Sequence, residues 1–218
     1  EDLQQYLTYE LSPYPMSLFD ENGFRKGKKS ALYDSFTPLE TVAFGPHRFY
    51  VVDGGYFMHK VKWQKRMSVQ DICRQYVAYL QRHYSDGKVA VVFDGYSPDI
   101  DSGGTKSAER QRRSTRYVSP SIEFDQSTLI TVTQEIFLSN HINKDRFIDV
   151  LRPALEDVGI EVRQAYEDAD RLIIETALEK SPHHDSTIII GEDVDLLVLL
   201  TALGNADSKI YLKKPGHG

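Results

Sequence analysis

An α/β fold built on a central, mainly parallel sheet is what the sequence predicts, from three observations. Arg48–Asp53 (R-F-Y-V-V-D) and Lys88–Asp94 (K-V-A-V-V-F-D) are continuous apolar runs, the pattern of strands buried on both faces. Between them, Ser68–Tyr84 repeats apolar residues at helical spacing, so the three segments make a right-handed parallel crossover unit. A further apolar strand, Thr187–Gly191, runs through the acids Glu192, Asp193 and Asp195 into a helix-like run, Leu196–Leu203.

Taken in order, residues 1–47 form an N-terminal extension expected to wrap the core, and 48–218 form the main domain. Ser12–Pro15 and Thr37–Pro38 interrupt any long element in the extension. Its basic stretch Phe24–Lys29 reads as a solvated loop or a phosphate contact. After Asp53 comes the pair Gly54-Gly55. Ser68 is a natural N-cap for a helix that turns Val69, Ile72, Cys73, Tyr76, Val77 and Leu80 inward. Asp94 closes its strand and Gly95 follows. Tyr96–Thr105 reads as a loop. Lys106–Arg116 (K-S-A-E-R-Q-R-R-S-T-R) carries Lys106, Arg110, Arg112, Arg113 and Arg116 against one acid, Glu109. It is either a solvated, salt-bridged helix or a phosphate-binding one, and its place directly after an acid-bearing strand favours the second.

Val118–Ser139 is irregular, with strand character at Leu129–Val132, and holds one short helix or strand. Lys144–Val158 is amphipathic, with Phe147, Ile148, Leu151 and Leu155 inward, Asn143 as cap, Pro153 as a bend and Gly159 as stop. Ile160–Arg163 is a short strand. Gln164–Asp170 (Q-A-Y-E-D-A-D) brings more acids before a helix over Arg171–Lys180, and Lys209–Leu212 is the last strand.

Composition narrows the function. The chain has 218 residues and a formal net charge of −6, which argues against a uniformly basic surface but not against a local basic track. The single cysteine, Cys73, can form no internal disulfide; it points to an intracellular compartment, nuclear or cytoplasmic, and reads as a small core residue. No apolar run is long enough to cross a bilayer.

Four segments carry acids where a strand ends or a helix begins: Asp53; Asp94; Asp168 with Asp170; Asp193 with Asp195. In a parallel sheet such ends share one edge, where open α/β folds bind their ligands. Two acids at i and i+2 diverge by about 200° within a regular helix, so a pair converges only if its first member is still extended. Both pairs sit at such a boundary. A lone Asp after a strand is commonly a turn former or cap, and Asp168 alone reads as an N-cap. Four segments coinciding point instead to a shared metal site with hard oxygen donors, suited to Mg²⁺ or Mn²⁺, and two-ion phosphodiester hydrolysis needs about this many acids. No phosphate-cradling G-x-x-x-x-G-K-[ST], dinucleotide G-x-G-x-x-G or G-x-S-x-G elbow is present. His183-His184 lacks zinc partners, and His59 reads as a packing or surface residue.

Val91–Arg113 (V-V-F-D-G-Y-S-P … K-S-A-E-R-Q-R-R) resembles the segment of flap-endonuclease-like nucleases in which an F-D-G-x-x-P turn precedes a basic helix. Ile190–Leu196 (I-G-E-D-V-D-L) resembles their later acid pair, Ala165–Ala177 an earlier acidic segment, and Val51–Asp53 their first strand. Within that superfamily the sequence is most similar to asteroid-type PIN-like domains. The resemblance implies a PIN-like three-layer fold and a divalent-metal-dependent nuclease that hydrolyses phosphodiester bonds of DNA or RNA. It implies Asp53, Asp94, Asp168, Asp170, Asp193 and Asp195 as catalytic metal ligands, two Mg²⁺ or Mn²⁺ ions as cofactors, and nucleic acid as partner. Lys106, Arg110, Arg112, Arg113 and Arg116 would be the nucleic-acid contacts. The sequence departs from the family at Asp101, where a basic residue is usual, and in the residues preceding the first strand. The family's helix-hairpin element would lie beyond Gly218. These departures leave a second expectation, a catalytically inactive nuclease-like scaffold that binds nucleic acid or protein.

Overall fold

The computed structural model describes residues 29–95, 119–205 and 208–216. Its centre is a parallel sheet of β1 (Arg48–Asp53), β2 (Gly87–Phe93), β3 (Glu161–Gln164), β4 (Ser186–Ile190) and β5 (Ile210–Lys213), in the order β3-β2-β1-β4-β5. All four pairings are parallel, with Val52 opposite Val91 on one side and Ile190 on the other. The helices are α1 (Gly54–Lys60), α2 (Val69–His83), α3 (Gln134–Ser139), α4 (His141–Glu156), α5 (Ala169–Lys180) and α6 (Val194–Leu203).

Side chains alternate across the pleat, so each strand feeds two cores. Tyr50, Val52, Val91, Phe93 and Ile188 pack with Ile72, Tyr76, Leu80, Phe147 and Leu151 of α2 and α4. Phe49, Val51, Val92 and Ile189 pack on the opposite face with Ile173, Ala177 and Leu196 of α5 and α6. The result is the three-layer α/β arrangement the sequence predicts. The chain moves outward from β1 through β2 to β3, then returns to the far side of β1 for β4 and β5. The direction therefore reverses between β1 and β4, and the carboxyl ends of those two strands form the crevice in which such sheets bind ligands.

Most helix signals hold. The Ser68 hydroxyl accepts from the Asp71 amide at 3.1 Å, capping α2 as predicted. Cys73 is buried, and burial pushes its thiol up to about 12, as suits a core residue rather than a nucleophile. Gly159, with φ of 78°, sits in the left-handed region just past α4, where a residue with a Cβ would be strained.

Three expectations are corrected. The cap of α4 is Asn140, whose side chain accepts from the amides of Ile142 (2.9 Å) and Asn143 (3.2 Å). Asn143 lies one turn further in, fully buried, accepting from the Ile122 amide at 2.8 Å and donating to the Pro120 carbonyl at 3.0 Å. It ties the irregular 119–124 stretch to the helix. Leu129–Val132 is not a strand; an isolated antiparallel bridge joins Leu129 to Ser68. α5 also begins earlier than expected, at Ala169, which leaves Asp168 at its cap position.

The described part of the N-terminal stretch lies along β4 and β5. The Gly45 amide donates to Ser186 Oγ (3.3 Å), Phe44 meets Tyr211 edge-on, and the Tyr33 hydroxyl donates to the Glu192 carbonyl (3.2 Å). No helix among the described residues is long and apolar enough to cross a membrane.

Asn143→Ala would strand the Ile122 amide and two carbonyls in a buried position. It is expected to destabilise the fold by about 2–3 kcal/mol, with an unchanged m-value in urea unfolding.

Candidate metal centre

Asp94 directly follows β2, and the other acids predicted to share a site are delivered by junctions between a strand and a helix. Asp53 ends β1 and caps α1: its Oδ1 accepts from the amides of Gly55 (2.8 Å) and Tyr56 (3.2 Å). Asp193 follows β4 and caps α6, its Oδ1 accepting from the Asp195 amide at 3.0 Å. Asp168 precedes α5 in an extended conformation (φ −98°, ψ 129°) and Asp170 lies in that helix's first turn. The first member of each pair is extended and the second helical, the geometry that lets acids at i and i+2 converge.

They do converge. Carboxylate oxygens of Asp170, Asp193 and Asp195 all lie within 4.8 Å of one another. Asp53 and Asp94 border this group. Burial pushes the Asp53 carboxyl up to about 6, the charges of Asp94 and Asp193 add to the rise, and its two backbone amides oppose it. Burial likewise pushes Asp170 up to about 7, reinforced by the charges of Asp168, Asp193, Asp53 and Asp195. All six predicted aspartates thus share one electrostatic neighbourhood. Asp168 is its outlying member: it is exposed and outside the close triad, acting on Asp170 through charge.

The N-cap reading of Asp168 is half right. It occupies the cap position, but its side chain makes no capping bond. That bond comes from Asp94, whose Oδ1 accepts from the Ala169 amide at 3.0 Å. The loop after β2 and the start of α5 are locked together further by the Gly95 amide donating to the Glu167 carbonyl at 2.8 Å. A Cβ at position 95 would collide with the carbonyls of Ala165 and Tyr166, so only glycine permits this approach.

Gln164 was not singled out from the sequence. Its Nε2 donates to the Asp94 carbonyl (3.2 Å) and to Asp145 Oδ1 (3.1 Å), while Arg152 donates to its Oε1 (3.0 Å). It holds the backbone from which Asp94 projects. A lone Gln at the end of an edge strand carries no pattern that would reveal this. Glu192 stays outside the triad and uses its carbonyl to bind Tyr33. His59 is an exposed residue of α1, and His183-His184 belongs to no acid–histidine cluster among the described residues. Asp101 and the basic residues Lys106, Arg110, Arg112, Arg113 and Arg116 lie outside the described residues.

The donor set suits a hard divalent cation. Several carboxylates and no sulfur or imidazole ligand converge among the described residues, and two of the acids hold their protons more tightly than usual because they are buried beside other carboxylates.

No protein-family profile matches the sequence, and no curated protein matches it. Among solved structures, the chain is similar to the bacteriophage T5 flap endonuclease in a pseudo-enzyme-product complex with DNA and metal ions. The alignment covers 77% of this chain and 54% of that one, at 16% identity and a TM-score of 0.44. T5 5'-exonuclease with bound zinc ions aligns over 77% of this chain and 55% of its own, at 15% identity and a TM-score of 0.43. Human GEN1 in complex with Holliday junction DNA aligns over 69% of this chain and 33% of its own, at 19% identity and a TM-score of 0.38. The chain spans about half the length of the T5 structures and a third of GEN1.

The raised carboxyls set a pH dependence. A group that binds its proton more tightly when folded stabilises the fold at low pH, and that stability is lost as pH rises through the folded value. Metal-free protein should therefore lose stability between about pH 4, near the unfolded carboxyl value, and the folded values of about 6 for Asp53 and about 7 for Asp170. Asp170→Asn should flatten this fall and stabilise the metal-free protein by about 1–2 kcal/mol at neutral pH. Thermal melts in EDTA across pH 4–8 measure both.

Proposed function

We propose that this chain is a divalent-metal-dependent nuclease that hydrolyses phosphodiester bonds of DNA or RNA, with a PIN-like domain of the asteroid type. The observation that carries the reading is the convergence of Asp170, Asp193 and Asp195 within 4.8 Å, at the edge where Asp53 and Asp94 also end their strands.

Asp170, Asp193 and Asp195 would hold one Mg²⁺ or Mn²⁺, and Asp53, Asp94 and Asp168 would complete the ligands for a second. Bound divalent ions supply charge neutralisation at the scissile phosphate and make water a competent nucleophile at neutral pH. The chain's own contribution is positional. Asp53, Asp94 and Asp193 each commit an oxygen to backbone amides. Their rotamers are thus fixed before any ligand arrives, and little reorganisation accompanies loading. Gln164 steadies Asp94 from behind. Lys106, Arg110, Arg112, Arg113 and Arg116 are the proposed contacts to flanking phosphates. The described part of the N-terminal stretch, from residue 29 on, braces β4 and β5, and the single cysteine suits an intracellular site of action.

Labelled single-stranded and branched DNA and RNA, incubated with Mg²⁺ or Mn²⁺, are expected to be cleaved. Asp193→Ala and Asp170→Asn should each lower the rate by at least a hundredfold, Asp170→Asn without lowering the melting temperature and Asp193→Ala with at most the loss of one helix cap, about 1 kcal/mol. Cleavage that persists in Asp193→Ala contradicts the assignment. Salt-dependent binding with no cleavage under any metal selects the inactive scaffold.

A further inference from the structure

We propose that the loop Lys60–Arg66 is a second nucleic-acid contact, which grips backbone phosphates about three nucleotide steps from the aspartate pocket. The segment reads K-V-K-W-Q-K-R, four cations in seven residues without an acid, in a chain of net charge −6. Lys62, Lys65 and Arg66 are exposed, and among the described residues none of the four cations is in an ion pair.

Two features set the loop apart from an ordinary solvated charge run. First, it is rigidly mounted. Trp63, between the cations, points inward: its indole N–H donates to the Tyr76 hydroxyl at 3.0 Å, and its ring packs on Phe137 and Phe147. Gln134 Nε2 donates to the carbonyls of Met58 and Val61, both at 2.8 Å, and its Oε1 accepts from the Trp63 amide at 3.2 Å. The backbone is thereby ordered in advance, which lowers the entropic cost of binding. Second, Arg66 has φ of 60°, and it is the one non-glycine residue with positive φ among the described residues. Glycine or asparagine fits such a turn with less strain. An exposed arginine kept there at a cost points to a use for its charge.

Position supplies the rest. The loop leaves the end of α1, whose first turn is capped by Asp53. Seven residues of helix span about 10 Å, close to three steps of a nucleic-acid strand at about 3.4 Å each. Lys62 and Lys144 both bring positive charge to His59. Lys144 adjoins Asp145, which Gln164 links to the Asp94 backbone. Positive charge from Lys62 and Lys144, opposed by Glu135, therefore reaches His59 on α1, the helix that joins the loop to the Asp53 cap. Phosphate contacts of this kind position a strand without reading its sequence.

The proposal rests on the nuclease reading of the pocket, and its test separates the two. Binding of a fluorescein-labelled DNA duplex with a single-stranded tail, and of its RNA counterpart, is measured in EDTA over a series of salt concentrations. For the wild-type chain log K should fall linearly with log salt. The double variant Lys62→Gln/Lys65→Gln should reduce that slope by about two, and Arg66→Gly by about one. Arg66→Gly should also leave the melting temperature unchanged or raised, an outcome a structural role for the arginine would not give. Slopes unaltered by these variants overturn the proposal, as does a wild-type chain that binds neither probe at low salt. A chain that binds with a loop-dependent slope but never cleaves keeps this proposal and loses the nuclease reading. A chain that cleaves with a slope indifferent to the loop loses this proposal alone.

Discussion

Like charge packed beside an apolar sheet edge is the constraint around which this structure is arranged. Desolvation and mutual repulsion together push Asp53 to about 6 and Asp170 to about 7. The fold offsets part of this cost with helix ends. α1, α5 and α6 all begin at the pocket, with Asp53, Asp168 and Asp193 at their cap positions. Each helix N-terminus presents unsatisfied amides and a partial positive charge, worth about 0.3–1 kcal/mol to a nearby anion. Three such ends do not cancel the repulsion, since two carboxyls remain far above the ordinary range. The residual imbalance is what a divalent cation would remove.

The sheet order explains why the acids can meet at all. Were β4 added beyond β3 instead of beside β1, Asp193 would lie several strand spacings, each about 4.8 Å, from Asp53. Reversal of the winding at β1 makes β1 and β4 neighbours and opens the crevice between their ends. It also assigns α2 and α4 to one face and α5 and α6 to the other. The apolar layers on both faces hold β1, β2 and β4 in register, so the pocket inherits its geometry from two cores rather than from a loop.

Local patterns made much of this legible. Runs such as R-F-Y-V-V-D state both the buried strand and the acid at its end, and the strand–helix boundary at each i, i+2 pair foretells convergence. What stayed hidden depends on contacts distant in sequence. Asp94 caps a helix 75 residues away, which no spacing rule exposes. Asn140 and Asn143 are equally good caps by composition, and only the buried partners of Asn143 decide between them. Leu129–Val132 has strand propensity but no neighbouring edge beyond one bridge to Ser68; tertiary context overrides local preference. The Lys60–Arg66 loop is harder to see because Val61 and Trp63 break its charge run, and the longer Lys106–Arg116 run carries more cations in all.

For a chain of net charge −6 to bind a polyanion, as proposed, its two signs would have to be kept apart, and the distances here allow it. At physiological ionic strength a charge is screened beyond about 8 Å. Seven residues of α1 separate Asp53 from the Lys60–Arg66 loop by about 10 Å, so the acids do not quench the cations and a strand approaching the loop does not feel the full pocket. Six of the 32 acids are gathered at one point, where bound metal would reverse their effect on a phosphate. The same number of acids scattered over the surface would repel a strand everywhere and attract a cation nowhere. With a cation bound, clustering them would turn an unfavourable average into a favourable local field, and it would tie tight approach of a strand to prior loading of the pocket.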